Sequence, residues 1–542
     1  MTLISKTVGA IVREQAKQFP NVEAYVYPEH GIRKTYAEFD QETDELAKAY
    51  MGMGIQKGEH VAIWSDNKRQ WLLSQYATGK MGATLVTVNT NYQTAELEYL
   101  LQQSESTTLI LDASYKGTSY IDIVKELCPE LAQSSKGELQ CAKLPHLKRI
   151  ILMTEQQEVG MFTWSELLQF AQKVTAEELE ERLQSLDPDD VINIQYTSGT
   201  TGFPKGVMLT HYNVVNNGKM IGDRMKLTEE DRVCIPVPFF HCFGCVLGTL
   251  AAVTHASTMV VVEQFEAKTV LQAVQDENCT ALHGVPTMFI AELNHPQFEE
   301  FNISSLRTGI MAGSTCPIEV MRKVIEDMGA AEITICYGQT ESSPVITQTT
   351  TDDPIEKRTS TVGKPHPHVE VRIVDPTTDE DVSVGKPGEL WTRGYHVMKG
   401  YYNNEEATRE AINEEGWLRT GDIAIMDEDG YIDITGRIRD MVIRGGENIY
   451  PREIEEFLYR HPDVEDVQVV GVPDEKYGEE LMAWIIPKKG SSLDEATVRT
   501  FCKGNISHFK IPKYIEFTDA YPMTASGKIM KFKLQELAKE KV

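Results

Sequence analysis

Apolar positions along the first four-fifths of the chain follow two different periods in turn. Over residues 36–51 they recur at roughly every 3.6 residues, which predicts an amphipathic helix. Residues 60–64 then form a short apolar run, which predicts a buried strand, and residues 69–81 again have the helical period. Further strands are predicted for the apolar runs at residues 84–88, 108–111, 150–153, 191–195, 233–237, 258–262, 308–312 and 333–337. This order predicts an α/β fold with mostly parallel sheets covered by helices.

The pattern changes after Arg437. Residues 451–461 place Ile454, Phe457 and Leu458 on one helical face, behind a proline suited to a first turn. Residues 464–472 and 481–487 are predicted strands, so the end of the chain is expected to form a small α+β unit. We therefore predict a large N-terminal domain over residues 1–437 and a small, mobile C-terminal domain over residues 438–542.

Composition restricts the partners. The chain has 542 residues, with 53 Lys and Arg against 81 Asp and Glu, which gives a net charge of −28. This excess of acid argues against a nucleic-acid partner. No apolar stretch approaches the length of about 18 residues that a membrane span needs. The N-terminus, which contains Glu14, fits neither a secretory signal nor a transit peptide.

The nine cysteines are scattered, which suits a reducing compartment, and we expect a cytoplasmic location. Cys242-x-x-Cys245 next to His241 raises the alternative of a zinc site. No second pair of ligands stands at zinc-finger spacing, so buried thiols are the favoured interpretation.

A loop at residues 196–206 combines glycines, small hydroxyl side chains and one lysine directly behind the apolar run 191–195. Glycines let backbone N–H groups turn toward an anion, and a lysine adds a mobile positive charge, so the loop is a candidate phosphate site. The Walker pattern is not met, because Lys205 is followed by Gly206. A plain surface loop is the alternative, which the length of the motif disfavours. The candidate binding residues are Thr197, Ser198, Gly199, Thr200, Thr201, Gly202 and Lys205.

This loop resembles the signature of the adenylate-forming (AMP-binding) superfamily, which includes acyl- and aryl-CoA synthetases, adenylation domains of peptide synthetases and firefly-type luciferases. The resemblance implies that the loop binds the β- and γ-phosphates of ATP. The superfamily's second nucleotide motif matches Tyr337-Gly338-Gln339-Thr340-Glu341. By resemblance, Tyr337 packs on adenine, Thr340 contacts the α-phosphate and Glu341 holds Mg²⁺. Gly313-Ser314-Thr315 is a looser match to the adenine pocket, because the proline often found nearby is displaced to Pro317.

The resemblance continues toward the C-terminus. Asp422 matches the aspartate that accepts the two ribose hydroxyls, and Arg437 matches a second ribose or phosphate contact. Lys528, in a P-x-x-x-x-G-K motif, matches the lysine that reaches the forming acyl-adenylate bond. Arg439 stands at the hinge, where relatives carry aspartate, lysine or a similar polar residue. Gly445, Gly446 and Asn448 match the segment that approaches the pantetheine arm of CoA, with a plain hairpin as the alternative.

Residues 237–244 match the superfamily's acyl-pocket motif. Amino-acid-activating relatives usually place an aspartate in this region, whereas this chain has Phe240 and His241, so a substrate without an α-ammonium is favoured. His241 joins Lys528, Thr340 and Glu341 as a predicted catalytic residue. The apolar residues nearby suit an alkyl or aryl tail, although a core role explains them equally well. Segments 436–451 and 362–367 resemble fatty acyl-CoA synthetases of medium-chain type.

We therefore expect an AMP-forming acyl-CoA synthetase that uses ATP, Mg²⁺, CoA and a small carboxylic acid, with a fatty acid of medium to long chain length as the favoured substrate. The chain ends at Val542 without a carrier domain, which favours free CoA as the acceptor. The alternatives are an aryl or short branched-chain acid–CoA ligase, or a stand-alone adenylation enzyme that loads a carrier protein. A nucleotide-binding protein without turnover is disfavoured because the motif residues are all present. The oligomeric state stays open, with a homodimer as one expectation.

Overall fold

The computed structural model describes residues 2–197, 204–314, 316–444, 447–503, 505–525 and 527–542, and at Glu447 and Asn448 it describes the backbone alone. Within these ranges the α-helices are α1 Val8–Gln18, α2 Tyr36–Gly52, α3 Arg69–Met81, α4 Thr94–Gln103, α5 Tyr120–Leu127, α6 Trp164–Gln169, α7 Ala176–Gln184, α8 His211–Arg224, α9 Ala251–Val253, α10 Ala267–Glu277, α11 Pro286–Leu293, α12 Ile318–Glu326, α13 Ile355–Ser360, α14 Glu405–Ala411, α15 Pro451–Leu458, α16 Glu495–Cys502 and α17 Lys531–Lys539.

The strands, in chain order, are β1 Glu23–Tyr27, β2 Ile32–Thr35, β3 His60–Trp64, β4 Thr84–Thr87, β5 Thr108–Leu111, β6 Ser114–Tyr115, β7 Thr118–Ser119, β8 Arg149–Leu152, β9 Val191–Thr197, β10 Lys205–Thr210, β11 Arg232–Ile235, β12 Thr258–Val261, β13 Ala281–Gly284, β14 Thr308–Met311, β15 Thr334–Gly338, β16 Val345–Gln348, β17 Lys364–Pro365, β18 Val369–Val374, β19 Gly388–Gly394, β20 Gly400–Tyr401, β21 Leu418–Met426, β22 Ile432–Arg437, β23 Val442–Arg444, β24 Glu447–Ile449, β25 Val464–Asp474, β26 Gly478–Pro487 and β27 Tyr514–Phe517.

Two large sheets form the body of the N-terminal domain. The first has the order β17-β16-β15-β14-β13-β11-β12-β1-β2, and the second has the order β20-β10-β9-β4-β3-β5-β8. Their central strands pair in parallel, and so does the edge strand β8 with β5. The strands at the other three edges pair antiparallel. The central strands are short, apolar and fully buried, as parallel strands covered by helices on both faces require. The predicted α/β fold is therefore confirmed.

The predicted helices begin close to their observed first residues, and local capping explains one of them. At the start of α2 the Thr35 hydroxyl accepts from the Glu38 backbone N–H at 3.3 Å, and the Glu38 carboxylate accepts from the Thr35 N–H at 2.8 Å. This reciprocal pair satisfies two of the donors that a helix N-terminus leaves unpaired.

One part of the N-terminal domain departs from the parallel pattern. Strands β18, β19, β21 and β22 form a four-stranded antiparallel sheet. Its last two strands carry Asp422 and Arg437, which lie opposite each other in the register of the pair. The antiparallel pairing thus brings together two residues that are 15 positions apart in sequence.

A separate C-terminal domain follows β22. Its sheet has the order β24-β23-β26-β25, and β27 pairs in parallel with β26. Helix α15 packs against this sheet with Ile454 and Leu458 buried, as the sequence predicts. Within the described residues, no helix combines the length and the apolar character that crossing a bilayer requires.

Candidate functional site

The candidate site lies where chain segments leave the carboxyl ends of adjacent strands. Strands β13, β14 and β15 are parallel neighbours, and they lead respectively to Val285, to Gly313 and to the segment that starts at Tyr337. Open α/β sheets bind ligands at such strand ends. The Gly313 and Tyr337 motifs, which are more than 20 residues apart in sequence, therefore share one edge of the sheet with Val285.

The two ends of the phosphate loop are held together by a hairpin. Thr197 ends β9 and lies opposite Lys205, the first residue of β10. The Lys205 ammonium lies 4.4 Å from the centre of the Tyr401 ring. The Tyr401 hydroxyl in turn donates to Glu341 Oε1 at 2.8 Å. The lysine of the first motif and the glutamate of the second are thus linked through one tyrosine.

The second motif begins at a buried polar cluster. The Tyr337 hydroxyl donates to Asp422 Oδ2 at 2.6 Å, and Arg437 Nε lies 3.2 Å from Asp422 Oδ1. Burial raises the pKa of Asp422, and the Arg437 charge opposes that shift. Only 5% of Asp422 is exposed, so its carboxylate is held in one orientation by these two partners. The three residues that the resemblance assigns to adenine and ribose therefore form one group.

The middle of the motif is a tight turn. The Gln339 backbone N–H donates to the Ser342 hydroxyl at 3.0 Å, and that hydroxyl donates to the Gln339 carbonyl at 2.9 Å. Gly338 ends β15 and is exposed, whereas Thr340 is buried. The turn fixes Thr340 and Glu341 relative to the strand that carries Tyr337.

Lys528 reaches this site from the C-terminal domain. Its Nζ lies 3.2 Å from His241 Nε2, although the two residues are 287 positions apart in sequence. Cys242 Sγ lies 3.6 Å from His241 Nδ1 and 3.8 Å from Thr340 Oγ1. Three of the predicted catalytic residues, Lys528, His241 and Thr340, therefore meet at one point, with Cys242 between His241 and Thr340.

Protonation of this group follows from burial and hydrogen bonding. Burial, with the nearby Lys528 charge, lowers the pKa of His241 well below its usual value, so the ring is neutral near pH 7. Burial also lowers the pKa of Lys528, and the Arg437 charge adds to that effect. His241 Nδ1 accepts from the Phe243 backbone N–H at 3.1 Å, so a neutral ring carries its proton on Nε2. Two donors, Nε2–H and the ammonium, then face the same space, which suits an anionic acceptor such as a carboxylate.

The region around His241 is apolar. Phe239, Phe240 and Phe243 are each at most 9% exposed. Residues Phe243–Leu250 form a π-helix in which all eight residues are buried, and π-helical turns are frequent at functional sites. The sequence analysis did not predict this helix, because an apolar run carries no signal that separates a π-helix from an α-helix or a strand.

Several predicted residues lie elsewhere. Ser314 is exposed beside Gly313 in the segment after β14. Asn448 pairs with Ile443 in the β23–β24 hairpin, whose Arg444 contacts Glu480 at 2.7 Å within the same domain. The predictions for Ser198, Gly199, Thr200, Thr201, Gly202, Thr315, Gly445 and Gly446 lie outside the described residues.

Sequence reasoning missed two residues of the site. Tyr401 lies in none of the motifs assigned to the site from the sequence, although its hydroxyl donates to Glu341. Cys242 enters the sequence analysis only as half of the disfavoured zinc pair, and it lies beside Thr340. All nine cysteines are free and buried. Among the described residues no group of three His, Cys, Asp or Glu side chains is placed to hold a metal ion.

Comparisons with protein-family models and with known proteins show the family to which the chain belongs. Residues 12–402 match the model of the AMP-binding enzyme family, and residues 453–528 match the model of the AMP-binding enzyme C-terminal domain. The chain is 59% identical over 534 residues to "Putative acyl-CoA synthetase YngI" of Bacillus subtilis, covering 98% of this chain and 97% of that protein. It is 42% identical over 537 residues to the mitochondrial medium-chain acyl-CoA ligase ACSF2 of Danio rerio, covering 98% and 88% of the two chains.

A solved structure of a CoA ligase is similar to this chain over its whole length. The anthranilate CoA ligase AuaEII in complex with anthranoyl-AMP superposes with a TM-score of 0.85 at 26% sequence identity, covering 100% of this chain and 98% of that one. The chain therefore belongs to the AMP-binding enzyme family, as an AMP-forming ligase of the acyl-CoA synthetase class.

Proposed function

We propose that this enzyme activates a medium- to long-chain fatty acid and transfers it to CoA. In the first step a carboxylate oxygen attacks the α-phosphorus of ATP. The bond from that phosphorus to the β-phosphate bridging oxygen breaks, giving acyl-AMP and pyrophosphate. In the second step the CoA sulfur attacks the acyl carbonyl carbon, AMP leaves, and the thiol proton goes to solvent.

The proposal is carried by one observation, the approach of Lys528 Nζ to within 3.2 Å of His241 Nε2. Bringing a carboxylate to a polyphosphate requires donors that offset the repulsion between two anions. The ammonium and the imidazole Nε2–H supply two such donors at one point, and Thr340 lies on the far side of Cys242. Lys528 and His241 would orient the carboxylate, while Thr340 would contact the α-phosphate.

The remaining polar groups suit the nucleotide. Asp422 would accept the ribose hydroxyls, with Tyr337 against the adenine and Arg437 as a second contact. Thr197, Lys205 and the glycine-rich residues between them would bind the outer phosphates. Glu341, oriented by Tyr401, would hold Mg²⁺ together with phosphate oxygens, because this ion is commonly bound by one or two carboxylates plus substrate phosphates. When bound, Mg²⁺ would neutralise charge on the departing pyrophosphate.

We further propose that residues 1–437 and 438–542 act as two bodies that change their relative orientation between the two steps. The 3₁₀ turn Ile438–Asp440 contains Arg439 and lies between the last strand of one sheet and the first strand of the next. After rotation about this turn, the segment that contains Gly445, Gly446 and Asn448 would replace Lys528 at the site and receive CoA.

The substrate class rests on the apolar surroundings of His241 and on the name of a relative. Phe240 lies in the region where amino-acid-activating relatives usually place an aspartate, and the neighbouring π-helix is apolar except for Thr249. The ACSF2 protein at 42% identity is named a medium-chain ligase. A second candidate, an aryl acid, is favoured by the likeness to the anthranilate ligase. We also expect a cytoplasmic enzyme and leave a homodimer as a prediction.

The test measures AMP formation with and without CoA. Linear acids from acetate to palmitate are compared with benzoate, a cinnamate and several amino acids. A CoA-dependent maximum at medium to long linear acids is expected. A maximum at aryl acids would move the assignment to an aryl–CoA ligase, and pyrophosphate release that is indifferent to CoA would indicate an enzyme that loads a carrier protein.

A further inference from the structure

We infer that Thr287 is a positioning residue for Lys528 and acts only when the C-terminal domain is docked in the arrangement seen here. The inference rests on the proposed role of Lys528 in acyl-AMP formation. It concerns a contact across the two domains, from the first turn of α11 to the loop that carries the lysine. Nothing in the sequence motifs points to Thr287.

The contact is a hydrogen bond to the peptide group that precedes the lysine. The Thr287 hydroxyl donates to the Gly527 carbonyl at 2.9 Å, across 240 positions of sequence. The Gly527 carbonyl belongs to the peptide that links Gly527 to Lys528. Fixing the plane of this peptide fixes the N–Cα bond of Lys528 and so restricts the directions in which its side chain can leave the backbone.

The loop that carries Lys528 is held together by its own hydrogen bonds. The Lys528 backbone N–H donates to the Thr524 hydroxyl at 3.0 Å, and the Thr524 N–H donates to the Lys528 carbonyl at 2.7 Å. Met523 and Ile529 pair as an antiparallel bridge just outside these residues. The loop therefore moves as a unit with its domain, and a contact at Gly527 controls where Lys528 points.

Residues of the N-terminal domain form a notch that closely surrounds Gly527 and Lys528. A Cβ at Gly527, where φ is +79°, would lie 3.1 Å from Val285 Cγ2, and a Cβ at Gly313 would lie 3.1 Å from Lys528 Cε. Val285 follows β13 and Gly313 follows β14, which are parallel neighbours. Two adjacent strand ends thus form the walls of the notch, and Thr287 supplies the polar anchor.

The contact has a direct functional consequence. Lys528 has a flexible stem, so without an anchor its ammonium would spend less time 3.2 Å from His241. Rotation of the small domain would break the Thr287 contact, so loss of the hydroxyl should leave the CoA step unaffected. A threonine that only stabilised α11 would affect both steps alike.

The first experiment separates the two half-reactions. Thr287→Val keeps the shape and removes the hydroxyl, and Thr287→Ser retains the donor. We expect Thr287→Val to slow single-turnover pyrophosphate release from acid and ATP about three- to tenfold, as for loss of one hydrogen bond. Acyl-CoA formation from supplied acyl-AMP and CoA should stay within about twofold of wild type, and Thr287→Ser should restore the first step. Equal losses in both steps, or no loss in the first, would overturn the inference.

The control is Thr269→Val. Thr269 also lies in the first turn of a helix, and its hydroxyl donates to Glu266 next to the same helix rather than to the other domain. This variant should leave both half-reactions at the wild-type rate. In a Lys528→Ala background, Thr287→Val should cause no further loss of the first step, because the group that it positions is gone. An additional loss of the same size there would contradict the positioning role.

A second measurement does not depend on turnover. Lys528 labelling by an amine-reactive ester, followed by mass spectrometry, should proceed about threefold faster or more in Thr287→Val than in wild type or Thr287→Ser. Unchanged labelling would refute the contact as an anchor. Failure of the proposed function has a different signature: Lys528→Ala would then leave pyrophosphate release intact, or no acid would support it, whatever the labelling result.

Discussion

Glu292 is a buried carboxyl group whose replacement should stabilise the protein. It lies near the end of α11, only 1% of it is exposed, and neither carboxyl oxygen has a hydrogen-bond partner among the described residues. Burial raises the pKa of Glu292 well above its usual value. The folded protein therefore keeps this side chain protonated over a range of pH in which the unfolded chain would release the proton.

The sign of the pH dependence follows from this difference. Below the unfolded pKa of 4.5 both states bind the proton, and the group makes no pH-dependent contribution. Above 4.5 only the folded state holds it, so the free energy of unfolding falls as pH rises, until the raised folded pKa is reached. At about 1.4 kcal/mol for each pH unit, retention of the proton up to pH 7 would cost about 3 kcal/mol. The unpartnered oxygens add roughly 1–3 kcal/mol at any pH.

The variant is Glu292→Met, which has a similar length and no polar group. We expect its free energy of unfolding to exceed that of wild type at pH 7.5, and to do so by clearly less at pH 5, with a difference that grows by about 1.4 kcal/mol for each pH unit over which the folded protein retains the proton. Glu292→Gln is the matched control, because it removes the titration but keeps an unpartnered polar group. It should share the flattened pH dependence and only part of the stabilisation. Glu299→Gln, on an exposed carboxylate nearby, should change little.

The assay is denaturant unfolding of the N-terminal domain between pH 5 and pH 8, followed by fluorescence. Its transition should be compared between variants only where the denaturant slopes agree. A Glu292→Met stabilisation of the same size at pH 5 and pH 8 would show that the carboxyl does not titrate differently in the two states. Destabilisation at both values would show that Glu292 has a partner that makes it favourable.

Three further predictions concern the reaction. Asp422→Asn should raise the KM for ATP about ten- to hundredfold and leave the KM for the acid unchanged, because one or two charge-assisted hydrogen bonds are weakened; an unchanged KM for ATP would contradict the ribose role. The rate of acyl-AMP formation should fall as pH rises through the lowered pKa of Lys528, because only the ammonium attracts the carboxylate. In an active Lys528→Arg variant the pH at which the rate falls should be higher. If that pH did not change, a group other than Lys528 would cause the fall. Arg439→Pro should slow acyl-CoA formation from supplied acyl-AMP more than it slows pyrophosphate release, because a fixed φ resists rotation of the turn; Arg439→Ala is its control, and equal rates in both steps would exclude Arg439 as the hinge.

Much of the architecture could be predicted from the sequence because its central strands are short, continuous apolar runs. The predicted helix at residues 69–81 and the strand at residues 60–64 agree with α3 and β3 residue for residue. Strands that are buried on both faces of a parallel sheet have sequences of this kind. The antiparallel sheet of β18, β19, β21 and β22 was not predicted, because its strands are only partly buried and carry charged residues among the apolar ones.

The candidate site, too, could be predicted from the sequence only in part. Glycine-rich and charged motifs could be found because their residue types are unusual together, and Tyr337, Asp422 and Arg437 do lie in one cluster. Tyr401, Cys242 and Thr287 are ordinary residues whose importance comes from their partners. Each contacts a residue 60 or more positions away in sequence. Side-chain pairing over such separations depends on strand order and domain placement, which periodicity does not encode.

The arrangement of these contacts also bears on how one site could serve two reactions. The groups proposed for the nucleotide belong to the N-terminal domain, which holds Tyr337, Asp422 and Glu341 through strands and a tight turn. Lys528, the cation proposed for the carboxylate, comes from the C-terminal domain, and its loop contacts the N-terminal domain through the hydrogen bond from the Thr287 hydroxyl to the Gly527 carbonyl. Contacts of this kind contribute roughly 1 kcal/mol each. A small number of weak contacts would let the lysine be placed accurately for the first step and withdrawn for the second, so strengthening them should slow the enzyme after acyl-AMP has formed.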